Sequence, residues 1–207
     1  NQKVIAHFNE WMLGMGALYL RKYQPQIATL FTTHATSIGR SIAGNGKPLY
    51  GYMNGYDGDQ MAQELNMVSK HSVEKQAAHH VDCFTTVSDI TAVECTRLLD
   101  KAPDVVTPNG FEPDFVPTGK TYTSKRNKAR NALLNVVEKL TGCPADPDAF
   151  FVSTSVRYEY NNKGIDVFID TMNNLRNTTD LSRKIYAFIM VPAWVYASRA
   201  DLQEALK

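Results

Sequence analysis

The sequence predicts an α/β fold, a parallel sheet with crossover helices, running into the beginning of a second unit of the same kind. Short β-rich runs alternate with stretches of helical composition along all 207 residues, the pattern that βαβ units leave in a sequence. At 43% hydrophobic and 21% charged, the composition is that of a globular chain long enough for one large domain plus part of another. Two prolines within four residues, Pro144 and Pro147, interrupt the pattern near its last quarter.

Residues 4–8 read as the first strand and 12–22 as a helix, and 27–33 as a second strand that ends in the turn Thr32-Thr33-His34-Ala35-Thr36. The glycine- and tyrosine-rich stretch 44–58 reads as a loop, and 59–79 as one helix. A strand over 81–88, a helix over 89–99 and a short strand over 104–107 follow, closing at Pro108-Asn109-Gly110. After a polar connection carrying Pro113 and Pro117, residues 124–140 have helical composition and stop at Gly142. Beyond the prolines come a strand over 150–156, a helix over 164–175 and a strand over 184–191 ended by Pro192. The expected organisation is therefore 1–147 for the first domain and 148–207 for the start of a second. Two strands do not make an independent α/β domain, so the chain reads as a piece of a longer protein.

A net charge of +1 argues against a dedicated nucleic-acid binder. No apolar run reaches the roughly 18 residues of a membrane span, and the start of the chain carries no leader pattern. Cys83, Cys95 and Cys143 lack C-x-x-C spacing and read as reduced thiols, which gives a cytoplasmic expectation. His71, His79 and His80 form no i, i+4 pair, so no metal site is expected. The basic run from Lys120 to Arg130 reads as a solvated helix face.

Ligands of open α/β sheets bind beyond the carboxyl ends of the strands. That rule selects Glu10 after the first strand, His34 and Arg40 after the second, Asn109 after the fourth, and the segment from Arg157 to Lys163 after the fifth. Asn161 or Asn162 is placed to cap the following helix, whose positive end, flanked by Arg157 and Lys163, suits a phosphate or diphosphate. A solvated loop with ordinary surface charges accounts for the same residues, and a structural histidine accounts for His34.

Six segments in order resemble the animal and fungal glycogen synthases. They are Ile5-Ala6-His7-Phe8-Asn9-Glu10-Trp11; Phe31-Thr32-Thr33-His34-Ala35-Thr36 with Gly39-Arg40; Glu74-Lys75-Gln76-Ala77-Ala78-His79; Phe84-Thr85-Thr86-Val87-Ser88 with Ile90-Thr91-Ala92; Pro103-Asp104 with Pro108-Asn109-Gly110; and Arg157-Tyr158-Glu159-Tyr160 with Asn162-Lys163-Gly164. The resemblance implies the GT-B architecture, two Rossmann-like domains with a cleft between them. It implies retaining transfer of glucose from UDP-glucose to an α-1,4-glucan such as glycogen, without a metal or other cofactor. In that reading Arg157 and Lys163 stabilise the leaving diphosphate, His34 contacts the donor sugar and Arg40 approaches the donor phosphates. Glu10, Asn109 and Gly110 line the cleft. The glycine-rich loop of the family's first domain and the acidic motif of its second are not in this sequence, so the chain alone is expected to be inactive. A GT-B transferase with another donor, or a non-catalytic glucan-binding module, fits the same motifs, and self-association into a homo-oligomer stays open.

Overall fold

The computed structural model describes residues 3–177 and 181–207. It divides into two compact units, Asn1–Phe111 and Glu112–Lys207.

The first unit runs β1 (Ile5–Asn9), α1 (Glu10–Tyr23), β2 (Ala28–Thr33), α2 (Ser37–Gly44), a 3-10 segment (Tyr50–Gly55), α3 (Gly58–Glu64), α4 (Val68–His80), β3 (Cys83–Thr86), α5 (Asp89–Leu98) and β4 (Val105–Val106). Its four strands lie in the order β1-β2-β3-β4, every neighbouring pair parallel, as the alternating pattern predicts. The middle strands are rich in threonine yet buried, because the hydroxyls find partners inside the sheet. Thr32 and Thr85 share a hydrogen bond of 2.6 Å across β2 and β3, and Thr86 donates to the carbonyl of Thr33 at 2.7 Å.

Apolar packing falls into two clusters. Phe31 and Phe84 stack at 6.0 Å between centroids under Ala77, Ala78, Cys95 and Leu99. Ile38, Ile42, Met53, Met61 and Leu98 form the other cluster. The stretch 44–58 is thus more than a loop: Leu49 and Met53 anchor it in that core, and residues 50–55 coil into the 3-10 segment. The helix expected over 59–79 is two helices, broken where Asn66 adopts a left-handed φ of 55°. Asparagine tolerates that conformation better than most side chains.

The second unit holds a 3-10 turn (Pro113–Phe115), α6 (Gly119–Thr141), β5 (Phe150–Ser155), α7 (Ile165–Arg176), β6 (Ile185–Met190) and α8 (Ala200–Ala205). Strands β5 and β6 pair parallel in a separate two-stranded sheet. Helix α6 ends where the sequence indicates, at Gly142 with φ 69°. Although α6 precedes the Pro144–Pro147 break, it belongs to this unit. The guanidinium of Arg130 donates to the carbonyls of Pro147 and Ala149, both at 2.6 Å, and lies 4.2 Å over the Phe151 ring. Arg130 is therefore no part of a solvated face, unlike the exposed Lys120, Lys125, Arg126 and Lys128. Among the described residues, no helix is long and apolar enough to cross a membrane.

Candidate functional site

Because the four strands of the first unit are parallel, their carboxyl ends share one edge. There Asn9 passes directly into Glu10, Thr33 into His34, Thr86 toward Ser88, and Val106 toward Asn109 and Gly110. Five of the selected residues, Glu10, His34, Arg40, Asn109 and Gly110, therefore follow strand ends on that edge.

The first crossing is strained. Glu10 opens α1 with φ 65°, a left-handed value that a side chain with a Cβ adopts at a cost and that clusters at functional sites. Its carboxylate lies 3.3 Å from the Arg40 guanidinium, with the side chains 19% and 48% exposed. His34 is half-buried and its Nε2 lies 3.2 Å from Asn9 Oδ1, so the first two strand ends are joined through side chains. Beside them opens a cavity of about 460 Å³ lined by Glu10, Trp11, Ser37, Arg40, Met67 and Lys70. The ammonium of Lys70 sits 5.2 Å from the Trp11 ring centroid. Asn109 and Gly110 are exposed, just beyond β4.

The turn that carries His34 is held from beneath by two carboxylates. Glu74, on α4, accepts from the Thr33 hydroxyl at 2.8 Å and from the Ser37 amide at 2.7 Å. Glu94, on α5, accepts from the Thr36 amide at 2.7 Å and its hydroxyl at 2.5 Å, and from the Tyr50 hydroxyl at 3.3 Å. Neither reaches solvent, at 0% and 1% exposure. Burial pushes the Glu74 carboxyl above the ordinary carboxylate range, against the opposing pull of the Ser37 and Thr33 donors. The strand-end rule misses both glutamates. The signal that finds them is periodicity: Thr91, Glu94, Cys95 and Leu98 are the buried positions of α5, so a charge sits on an apolar stripe with i, i+3, i+4, i+7 spacing.

The second unit carries Arg157 and Lys163 between β5 and α7. Arg157 pairs with Glu159 at 3.2 Å, the side chains 59% and 36% exposed. An exposed pair of this kind holds its partners weakly and leaves the guanidinium free to exchange them. The Lys163 amide donates to the Glu159 carbonyl at 3.0 Å, while its side chain makes no hydrogen bond or ion pair among the described residues. Neither Asn161 nor Asn162 caps α7. The cap is Gly164 with φ 67°, and Lys163 lies in the turn before the helix. The reason is local: residues 159–164 form a hydrogen-bonded turn in which the Ile165 amide donates to Tyr160 O at 3.0 Å, satisfying a helix-end donor from the backbone. Asn161 donates instead to Asp166 Oδ2 at 2.8 Å. The positive end of α7 thus already carries one carboxylate in its first turn, and Arg157 and Lys163 are the cations of the segment before it.

The histidines outside the strand edge have structural partners. His79 donates from Nε2 to the Leu99 carbonyl at 2.8 Å, and His80 from Nδ1 to the Gln76 carbonyl at 2.8 Å. All three cysteines are unpaired. The thiol of Cys95 is pushed up by burial and by Glu94 and Glu74 nearby.

Comparison with known proteins extends these observations. The sequence model of the glycogen synthase family matches residues 1–203. A Dictyostelium discoideum glycogen [starch] synthase is 36% identical over 200 residues, covering 93% of this chain and 23% of its own length. Glycogen [starch] synthase isoform 2 of Saccharomyces cerevisiae is 33% identical over 198 residues (92% of this chain, 28% of the yeast protein). The Caenorhabditis elegans glycogen [starch] synthase is 32% identical over 201 residues, again 92% of this chain and 30% of its own. The chain therefore spans about a quarter of the length of these relatives. With a family match that runs almost end to end over a parallel-stranded α/β fold, the chain belongs to the glycogen synthase family.

Proposed function

We propose that the complete protein transfers glucose from UDP-glucose to the non-reducing 4-hydroxyl of an α-1,4-glucan, with retention of configuration. The observation that carries this reading is the family match over residues 1–203, which includes every residue selected from the strand ends. His34 contacts the donor sugar, Arg40 approaches the donor phosphates, and Glu10, Asn109 and Gly110 line the donor cleft. Arg157 and Lys163 meet the diphosphate as the glycosidic bond breaks, the moment at which fixed cations are worth most. Those two cations take the place of a metal, so the reaction needs neither metal nor cofactor. In the complete protein the unit that starts at Glu112 opens the nucleotide-binding domain, with β5 as its first strand. The enzyme works in the cytoplasm.

The test is incorporation of labelled glucose from UDP-glucose into glycogen by the complete protein, with and without a chelator. Transfer that survives chelation supports the reading. Loss on chelation removes its metal-free part, transfer from ADP-glucose alone changes the donor, and glycogen binding without transfer leaves a glucan-binding module. The 207-residue chain alone is expected to transfer nothing, since it spans 23–30% of its relatives.

A further inference from the structure

We propose that Glu94, seconded by Glu74, is a positioning residue for the donor site, fixing the turn that carries His34 and the first turn of the helix that carries Arg40. The inference rests on the donor-site reading above and adds residues that touch no substrate.

The geometry is specific to that turn. Of the five residues from Thr33 to Ser37, three are tied to a buried carboxylate: Thr33 and Ser37 to Glu74, and Thr36 to Glu94 through both amide and hydroxyl. The Thr36 hydroxyl also accepts from the Gly39 amide at 2.9 Å, capping α2, so Glu94 orients the cap that starts the helix. Gly39 is required by space: a Cβ there would collide with the Glu94 carboxylate and the Thr36 hydroxyl. His34 lies between the tied residues, and Arg40 follows Gly39 directly.

Energetics say why this is not mere core filling. A carboxylate without solvent is expensive unless every oxygen has donors, and apolar side chains of similar volume would serve burial better. What the carboxylates supply is a fixed backbone at positions 33, 36 and 37. Glu94 further draws in Tyr50, the first residue of the 3-10 segment. Donor transfer depends on such placement, since a displacement near 1 Å costs about 10²-fold in rate.

The experiment compares Glu94→Ala, Glu94→Gln, Thr36→Val and His34→Ala in the complete protein, with kcat and both KM values expressed per folded molecule. Glu94→Ala should lower kcat/KM for UDP-glucose about 10²-fold, leaving the KM for glycogen at its parent value. Glutamine keeps an oxygen for Thr36 and an amide for Tyr50, so Glu94→Gln should restore most of the loss. Thr36→Val, which removes one of the two ties to Glu94 and with it the α2 cap while keeping the shape, should show a loss in the same direction, and parent kcat/KM in that variant overturns the inference if Glu94→Ala does not fold. A folded Glu94→Ala or Thr36→Val variant with parent kcat/KM overturns the inference, as does a glutamine variant as damaged as the alanine one. Loss of transfer in His34→Ala beside full activity in Glu94→Ala sinks the positioning role alone. Full activity in His34→Ala sinks the donor-site reading and this inference with it.

Discussion

His71 shows how far one side chain can set the pH response of this fold. Its ring is 2% exposed, with Nε2 2.9 Å from Asp59 Oδ1 and Nδ1 buried without a partner. Burial pushes its pKa below 6.5, opposed by Asp59 and Asp100 and assisted by Lys75. In the unfolded chain the histidine takes up a proton as the pH falls through 6.5, and in the folded chain it resists, so unfolding binds protons and stability falls with pH in that window. Asp59, whose pKa is lowered by Lys75, adds a separate loss only below 3.8. Glu74 acts oppositely: its raised pKa favours the protonated form in the fold, so its contribution shrinks as pH rises from 4.5. The His71 contribution should therefore lower the thermal midpoint between about pH 7 and about pH 5.5, read as the difference in slope between the parent and His71→Gln, because Glu74 acts in the opposite sense over an overlapping range. Equal slopes in both proteins would remove His71 from the account. The residues at the strand ends were legible in the sequence because parallel topology alone puts Glu10, His34, Arg40 and Asn109 on one edge. Glu74 and Glu94 were not, because a glutamate inside a helix reads as surface until its position on the apolar stripe is counted.

Among the elements, the strands and the long helices α1, α5 and α6 follow directly from composition and stop signals. Two of the departures share a cause, backbone conformation that hydrophobic patterning does not encode. Asn66 splits one expected helix into α3 and α4 by its left-handed φ, and Gly164 replaces an asparagine cap at α7 in the same way. Helix α8 lies beyond Pro192 in a segment that carries no strong periodic signal. Gly164 has open space around its missing Cβ, so its requirement is conformational alone. Gly164→Ala should cost about 1–2 kcal/mol, read as a lowered midpoint in urea, and Gly164→Asn should cost less. An alanine variant as stable as the parent would mean that the turn over residues 160–164 reforms without a left-handed residue. Because Lys163 sits one residue before that glycine, the alanine variant should also weaken diphosphate binding in the complete protein.

At the scale of the whole molecule, the two units differ in how much they bury. The first encloses Phe31, Phe84, Ile38, Ile42 and Leu98 completely, whereas Ala149 and Ile165 are the buried apolar residues of the second among those described. In the second unit, Phe150, Val167, Ile169, Ile189 and Met190 remain exposed. Amides of β2 and β3 should therefore exchange with solvent far more slowly than those of β5 and β6 in the 207-residue chain. Equal protection would show that the two-stranded sheet is held by something other than its own core. The β5–α7–β6 pattern announces that second unit in the sequence, but not its start at Glu112 nor the reach of Arg130 across the Pro144–Pro147 break, which depend on three-dimensional packing. The central claim is the one proposed for Arg157 and Lys163, that their charges stabilise the leaving diphosphate. Steady-state kinetics on Lys163→Ala and Arg157→Lys in the complete protein test it most directly. Lys163→Ala should lower kcat by about 10²–10³-fold with UDP-glucose at saturation, and Arg157→Lys should also be damaging, because an ammonium lacks the guanidinium fork. Parent kcat in both variants would contradict the claim and leave Arg157 and Lys163 as solvated loop charges.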